Sequence, residues 1–210
     1  MSTPFPTEME LPGWELFWAL IEIDEGSEER TTALLRETSE LARAALEGID
    51  LASHATVSAM RKLFRAAGTD PTRYRPASEA LLRRVLKGED LPAIHPLVDL
   101  NNCLSIELAV PCCVMREGSF TPPLAWRVGR PGESYESLRG PFNLEGKPLL
   151  VDAEGPLDTP ITGGVRVKIR EETRRAWLVA YLPAGVVTVE RAEEVLAELV
   201  AKAGVRNLTP

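Results

Sequence analysis

The sequence predicts a segregated α+β domain, with helices early and mixed sheets later. Three observations carry that reading. Apolar residues recur at helical spacing from Leu34 to Ala109, and every stripe but the last halts at a glycine. Beyond Val110 that spacing disappears, and prolines at 111, 122, 123, 131, 141, 148, 156 and 160 separate short apolar runs. Helices gathered ahead of strands also disfavour a regular βαβ alternation. The 210 residues, 44% of them hydrophobic, are enough for one domain spanning 1–210 around a single buried core.

Trp14 to Ile23 is a run of large apolar side chains and reads as a buried strand, although its spacing alone also admits a helix. Leu34, Leu41 and Ala45, flanked by Leu35, Ala42 and Leu46, form a helical stripe that stops at Gly48. Val57, Met60, Phe64 and Ala67 form a second, closed by the turn residues Gly68-Thr69-Asp70-Pro71. A third helix begins near Pro76, turns Leu81, Leu82, Val85 and Leu86 inward, and ends at Gly88. Pro96 begins a fourth that runs through Ala109, with Leu97, Leu100, Leu104 and Leu108 on its core face. The opposite side carries Val98, Asn102, Ser105, Ile106 and Ala109, with Asp99 at the margin. A helix that is apolar on both sides is covered on both sides, and its buried polar groups need partners. The Asn102 face is therefore a candidate pocket wall. Val110 to Met115, Ala125 to Val128, Leu149 to Asp152, Val165 to Ile169 and Ala176 to Leu182 read as strands. Residues 189–203 form a last amphipathic helix before Gly204.

A formal net charge of −7 argues against nonspecific binding to a polyanion. The net value hides a partition, however. Acids dominate residues 1–50, whereas residues 54–88 carry Arg61, Lys62, Arg65, Arg73, Arg75, Arg83, Arg84 and Lys87 against Asp70 and Glu79. Three cysteines, Cys103, Cys112 and Cys113, are an odd number without metal-ligand spacing, so free thiols and no metal are expected. No apolar run reaches the length of a membrane span, and the first residues lack the pattern of a secretory signal. The expectation is a cytoplasmic protein.

One block of the chain resembles a known family. Arg73-Tyr-Arg-Pro-Ala-Ser-Glu-Ala-Leu-Leu-Arg-Arg-Val-Leu-Lys-Gly88, then Leu91-Pro92, then Pro96-Leu-Val-Asp-Leu-Asn-Asn102, is similar to the B3/B4 tRNA-binding and editing domains of the phenylalanyl-tRNA synthetase β chain and their freestanding relatives. The resemblance covers about residues 55–185. It implies a three-layer β/β/α fold and hydrolysis of the ester in a mischarged aminoacyl-tRNA, with no metal or nucleotide cofactor. By that resemblance Asn102 matches an asparagine lining the editing pocket, and Gly163-Gly164 match its glycine pair. Thr173 stands near the threonine that follows that pair. The family histidine falls at Cys113 and a later glutamate near Val179, so both are replaced.

An aminoacyl ester is already activated toward water, so a pocket that orients water and donates to the oxyanion suffices for deacylation. Asn102 and the amides of Gly163-Gly164 are the expected contacts. Glu79, in the shared motif, is a second catalytic candidate, as proton acceptor or amine partner. It reads equally well as a first-turn carboxylate paired with Arg83. Cys113 is a candidate nucleophile without a following histidine, and packing explains it as well. Asp99, Ser105, Asp152 and Thr173 complete the expected substrate contacts. Arg61, Lys62, Arg65, Arg73, Arg75, Arg83 and Arg84 are the expected tRNA phosphate contacts. A noncatalytic tRNA or RNA module and an amino-acid-binding protein are the alternatives.

Overall fold

The computed structural model describes residues 4–209. Two four-stranded sheets and a helical layer form its frame. The first sheet has the order β1 (Thr7–Met9), β4 (Leu124–Val128), β7 (Pro148–Asp152), β8 (Gly155–Asp158). The second has the order β10 (Val205–Asn207), β2 (Trp14–Ile23), β9 (Arg175–Pro183), β3 (Cys112–Arg116). A hairpin of β5 (Ser134–Ser137) and β6 (Gly140–Asn143) stands beside them.

The second sheet is the middle layer, and its sequence shows why. Successive side chains on a strand face opposite ways. In β2, Phe17, Ala19, Ile21 and Ile23 join one core, while Trp14, Leu16 and Trp18 join another. In β9, Ala176, Leu178, Ala180 and Leu182 face the first core, and Val179 and Tyr181 face the second. Strands buried on both faces read as continuous apolar runs, as these do. The first core is completed by α1 (Ser27–Ala45), α4 (Pro96–Leu108) and α5 (Val189–Ala203) through Leu34, Leu100 and Leu196. The second is completed by Trp126 and Leu150 of the other sheet, and by Met60 and Phe64 of α2 (Ala55–Ala66). The order of layers is therefore sheet, sheet, helices, an α+β fold. The third helix predicted near Pro76 is α3 (Ala77–Leu86), which begins one residue after that proline.

One predicted element is corrected. Val165 to Ile169 is not a strand: Val165–Val167 forms a single 3-10 turn, closed by the Lys168 N–H on the Val165 carbonyl. Its alternation of apolar and basic residues imitates a strand. The Arg166 guanidinium instead reaches back to Asp152 at 2.7 Å, which turns this segment across the sheet end. Val167 is left as its buried anchor. Among the described residues, no helix is long and apolar enough to cross a membrane.

Candidate functional site

A cavity of about 300 Å³ opens where α4, β3 and the chain after β8 meet. Each wall has a local cause. At the start of α4, His95 Nδ1 accepts the Leu97 N–H and Asp99 Oδ1 accepts the Ile94 N–H, which fixes the first turn. The helix then presents Val98, Asn101 and Asn102 to the cavity. At its far end Ala109 adopts φ 55°, and the Ser105 hydroxyl donates to the Val110 carbonyl at 2.8 Å, so the chain reverses into β3. That reversal brings Cys112, Cys113 and Val114 to the second wall. The third wall is Asp158, Thr159, Thr162, Gly163 and Gly164, followed by Val167, Lys168 and Ile169. Thr159 Oγ accepts the Ile161 and Thr162 N–H groups, and Tyr135 donates to the Thr162 carbonyl, which holds this turn. Gly164 is required there, because a Cβ would lie 2.4 Å from the Leu157 carbonyl oxygen.

The cavity is apolar along Val98, Val114, Val167 and Ile169 and polar at one corner. In that corner lies Asp158, only 1% exposed. Burial pushes its carboxyl up to about 7, against the Tyr181 hydroxyl, the Cys113 thiol and the Thr159 N–H, which pull it down. Tyr181 donates to Oδ2 at 2.5 Å and is itself stacked on Trp126. Oδ1 meets no donor at hydrogen-bonding geometry among the described residues. Asn101, 7% exposed, donates through Nδ2 to the Cys112 carbonyl, and its Oδ1 is likewise without a donor. Burial, with the Asp158 charge beside it, pushes the Cys113 thiol well up, so it is protonated at neutral pH. A wider groove of about 790 Å³ adjoins the cavity and shares Ile94, Val98 and Ile169 with it.

The family model for the B3/4 domain matches residues 59–199. The chain belongs to the B3/4 domain family. Over 102 residues it is 34% identical to a phenylalanine-tRNA ligase beta subunit of Bartonella henselae, a match that covers 47% of this chain and 13% of that subunit. Its fold is similar to an N-terminal fragment of the phenylalanyl-tRNA synthetase beta subunit from Pyrococcus horikoshii, with a TM-score of 0.46 and 15% identity. That match covers 96% of this chain and 49% of the fragment. This B3/4 domain thus spans a small part of the curated relative.

Of the residues expected at the site, Asn102, Cys113, Gly163 and Gly164 line the cavity of this B3/4 domain. The others lie elsewhere. Asp99 faces the adjoining groove, where burial raises its carboxyl. Ser105 is spent on the turn into β3. Thr173 Oγ accepts the Arg170 N–H in the loop before β9. Asp152 is buried at the end of β7; burial pushes its carboxyl up, but the Arg166 bond and the Thr121 and Glu154 N–H groups together hold it below the usual range. Glu79 is fully buried in α3 and away from the cavity, in ion pairs with Arg61 at 3.0 Å, Arg75 at 3.5 Å and Arg83 at 2.9 Å. Arg84 pairs with Glu89, Arg73 lies over the Tyr74 ring, and Lys62 and Arg65 are exposed. Sequence reasoning missed Asn101, Asp158 and Lys168. The Asn101-Asn102 pair was a usable signal, since successive helix positions can both border one wall. Asp158 gave none, because its burial depends on Tyr181, 23 residues away.

Proposed function

We propose that this B3/4 domain is a deacylase acting in trans on mischarged aminoacyl-tRNA. The observation that carries the reading is the cavity itself: amino-acid sized, apolar on one side, polar in one corner, and bordered by a groove that shares Ile94, Val98 and Ile169 with it. The aminoacyl group enters, and the ester lies nearer the mouth, where Asn102 is half-buried and Lys168 exposed. Water adds to the ester carbonyl, the tetrahedral oxyanion forms, and the C–O bond to the ribose breaks as that oxygen takes a proton. Asn102 orients the ester, and the backbone at Gly163-Gly164 approaches the oxyanion without side-chain obstruction. The tRNA backbone is received by a cationic surface. Arg61, Arg75 and Arg83 share one carboxylate and so retain an excess of positive charge. The helix that carries Arg83 starts at the cavity wall, because the Ala77 N–H at the start of α3 donates to the Pro160 carbonyl and Ala77 lines the wall. Lys62, Arg65 and Arg73 extend this surface.

The test is amino-acid release from a broad panel of mischarged tRNAs incubated with the purified chain. Acceleration of at least about tenfold over spontaneous hydrolysis on one member is expected, well within what positioning alone supplies. No acceleration on any member overturns the reading. One observation favours a second reading, an amino-acid-binding module without hydrolysis: among the described residues no histidine lines the cavity, and its cysteines are protonated.

A further inference from the structure

Several buried side-chain atoms of the described residues lack a hydrogen-bond partner, among them Trp18 Nε1, Ser78 Oγ and Trp126 Nε1, but only Asp158 Oδ1 and Asn101 Oδ1 belong to residues that line the cavity. Buried acceptors are normally satisfied, and a carboxylate removed from water needs a cation or several donors. Asp158 Oδ1 has neither, and the groups that act on this carboxyl are a phenol, a thiol and a backbone N–H. Thiols are weak donors. Asn101 cannot be turned round to relieve its own oxygen, because its amide nitrogen is engaged by the Cys112 carbonyl at 3.4 Å. Both orphan oxygens belong to residues that line the same cavity beside the Cys112-Cys113 wall, Asn101 against the Cys112 carbonyl and Asp158 against the Cys113 thiol. Two acceptors and a carboxyl charge, with no donor at hydrogen-bonding geometry to either oxygen among the described residues, describe the negative of a ligand.

From this we infer that the polar corner of the cavity is a binding site for the free α-ammonium group of the substrate, held by Asp158 with Asn101. The inference rests on the deacylase reading for the remainder of the ligand. An ammonium brings a positive charge and three donors, which answer both acceptors and the carboxylate together. A hydroxyl brings one donor and no charge, and leaves one acceptor unanswered. The apolar wall of Val98, Val114, Val167 and Ile169 then receives a small uncharged side chain. The site consequently distinguishes unblocked aminoacyl groups from N-acylated ones, for which the acyl carbon removes both the charge and two of the donors.

Adenosine carrying a 3′-aminoacyl amide in place of the ester gives probes that do not hydrolyse. Seryl, threonyl, alanyl and phenylalanyl forms, each with a free and an N-acetylated amine, are titrated calorimetrically against the full chain. The free-amine form is expected to bind at least about tenfold more tightly, since a hydrogen bond to a charged group is lost on acetylation. In Asp158→Asn that ratio is expected to fall below about twofold. Equal affinity of free and acetylated forms, or a preference that survives Asp158→Asn, overturns the ammonium site and leaves the deacylase reading standing. Free-amine preference for amino-acid amides, with no binding of any nucleoside-linked probe, supports the ammonium site and sinks the deacylase reading. Failure of every probe overturns both. Asn101→Ala, which leaves the carboxylate in place, provides the second variant. It is expected to reduce the preference by about threefold, and an unchanged ratio counts against the site.

Discussion

Two carboxylates in this B3/4 domain are equally buried and oppositely furnished. Glu79 in α3 is ringed by Arg61, Arg75 and Arg83, from α2, the preceding loop and its own helix. Asp158 at the end of β8 has a phenol on one oxygen and, among the described residues, no donor at hydrogen-bonding geometry on the other. Burial removes the same hydration from both, and only the first is compensated. A carboxylate wrapped in cations ties elements together. One left short of partners beside a cavity costs stability, and the proposed ammonium site gives it the opposite charge it lacks.

The largest effect that tests this contrast is on stability. Glu79→Ala removes the common partner of three guanidiniums, two of which belong to other elements, and should destabilise the protein by about 3–5 kcal/mol in urea unfolding. A loss below about 1 kcal/mol would mean that the arginines relax to solvent and that Glu79 is not a tie. The same variant should keep whatever cavity binding survives its reduced stability, since Glu79 touches no lining group.

Asp158→Asn should act in the opposite direction. A carboxyl whose folded value is raised to about 7 binds its proton more tightly in the folded state than in the unfolded one. Its contribution is thus intact below pH about 4 and is lost as the pH rises toward 7. Tyr181 and Cys113, the titratable groups against it, are themselves pushed well above neutrality, and Lys168 lines the same cavity as a cation. The amide variant should therefore be more stable than the parent at pH 8, by a few kcal/mol (on the order of 3), and no more stable near pH 4. A pH-independent difference between the two proteins would show that Asp158 does not titrate in this window. Ligand binding should follow the reverse course, with amine affinity falling as the pH drops below 7.

A smaller effect, on rate alone, separates the cavity from the Glu79 tie. Asn102→Ala should lower deacylation by about ten- to a hundredfold while changing stability by about 1 kcal/mol or less, because Asn102 is only half-buried on the lining. Parallel loss of rate and stability would place Asn102 with Glu79 as a structural group.

The contrast also explains what the sequence disclosed. Order and type of the long elements were legible, because α4 and α5 carry helical spacing over most of their length and β2 is a mostly apolar run of ten residues, the length of a buried strand. Asn102 was legible for the same reason: a helix apolar on both faces announces cover on both. The Glu79–Arg83 pair was readable from its i,i+4 spacing, but Arg61 comes from another helix and gave no sign. Asp158 was illegible because β8 has four residues, opens on Gly155-Pro156 and runs into Thr159-Pro160, a texture shared with exposed loops. Only the pairing of β7 with β8 and the reach of Tyr181 from β9 bury it. Val165 to Ile169 failed for the converse reason, since a two-residue alternation is shared by a strand and by a turn anchored through Arg166 and Val167.

The smallest effect is a control within α3. Arg84 pairs with Glu89 at 3.2 Å, one position along from the Glu79 partner Arg83, but both members stand nearly half exposed, at 46% and 47%. Water screens such a pair and side-chain entropy opposes it, so Arg84→Ala should change stability by less than about 0.5 kcal/mol. On the proposed function it should nevertheless weaken tRNA binding and flatten its salt dependence, through the loss of one phosphate contact and its released counterion. Filter binding at several salt concentrations reads this directly. An unchanged salt slope would remove Arg84 from the RNA surface and leave that role to Lys62, Arg65 and the cations around Glu79. A stability loss as large as that of Glu79→Ala would erase the distinction between a buried carboxylate shared by three arginines and an ordinary surface pair.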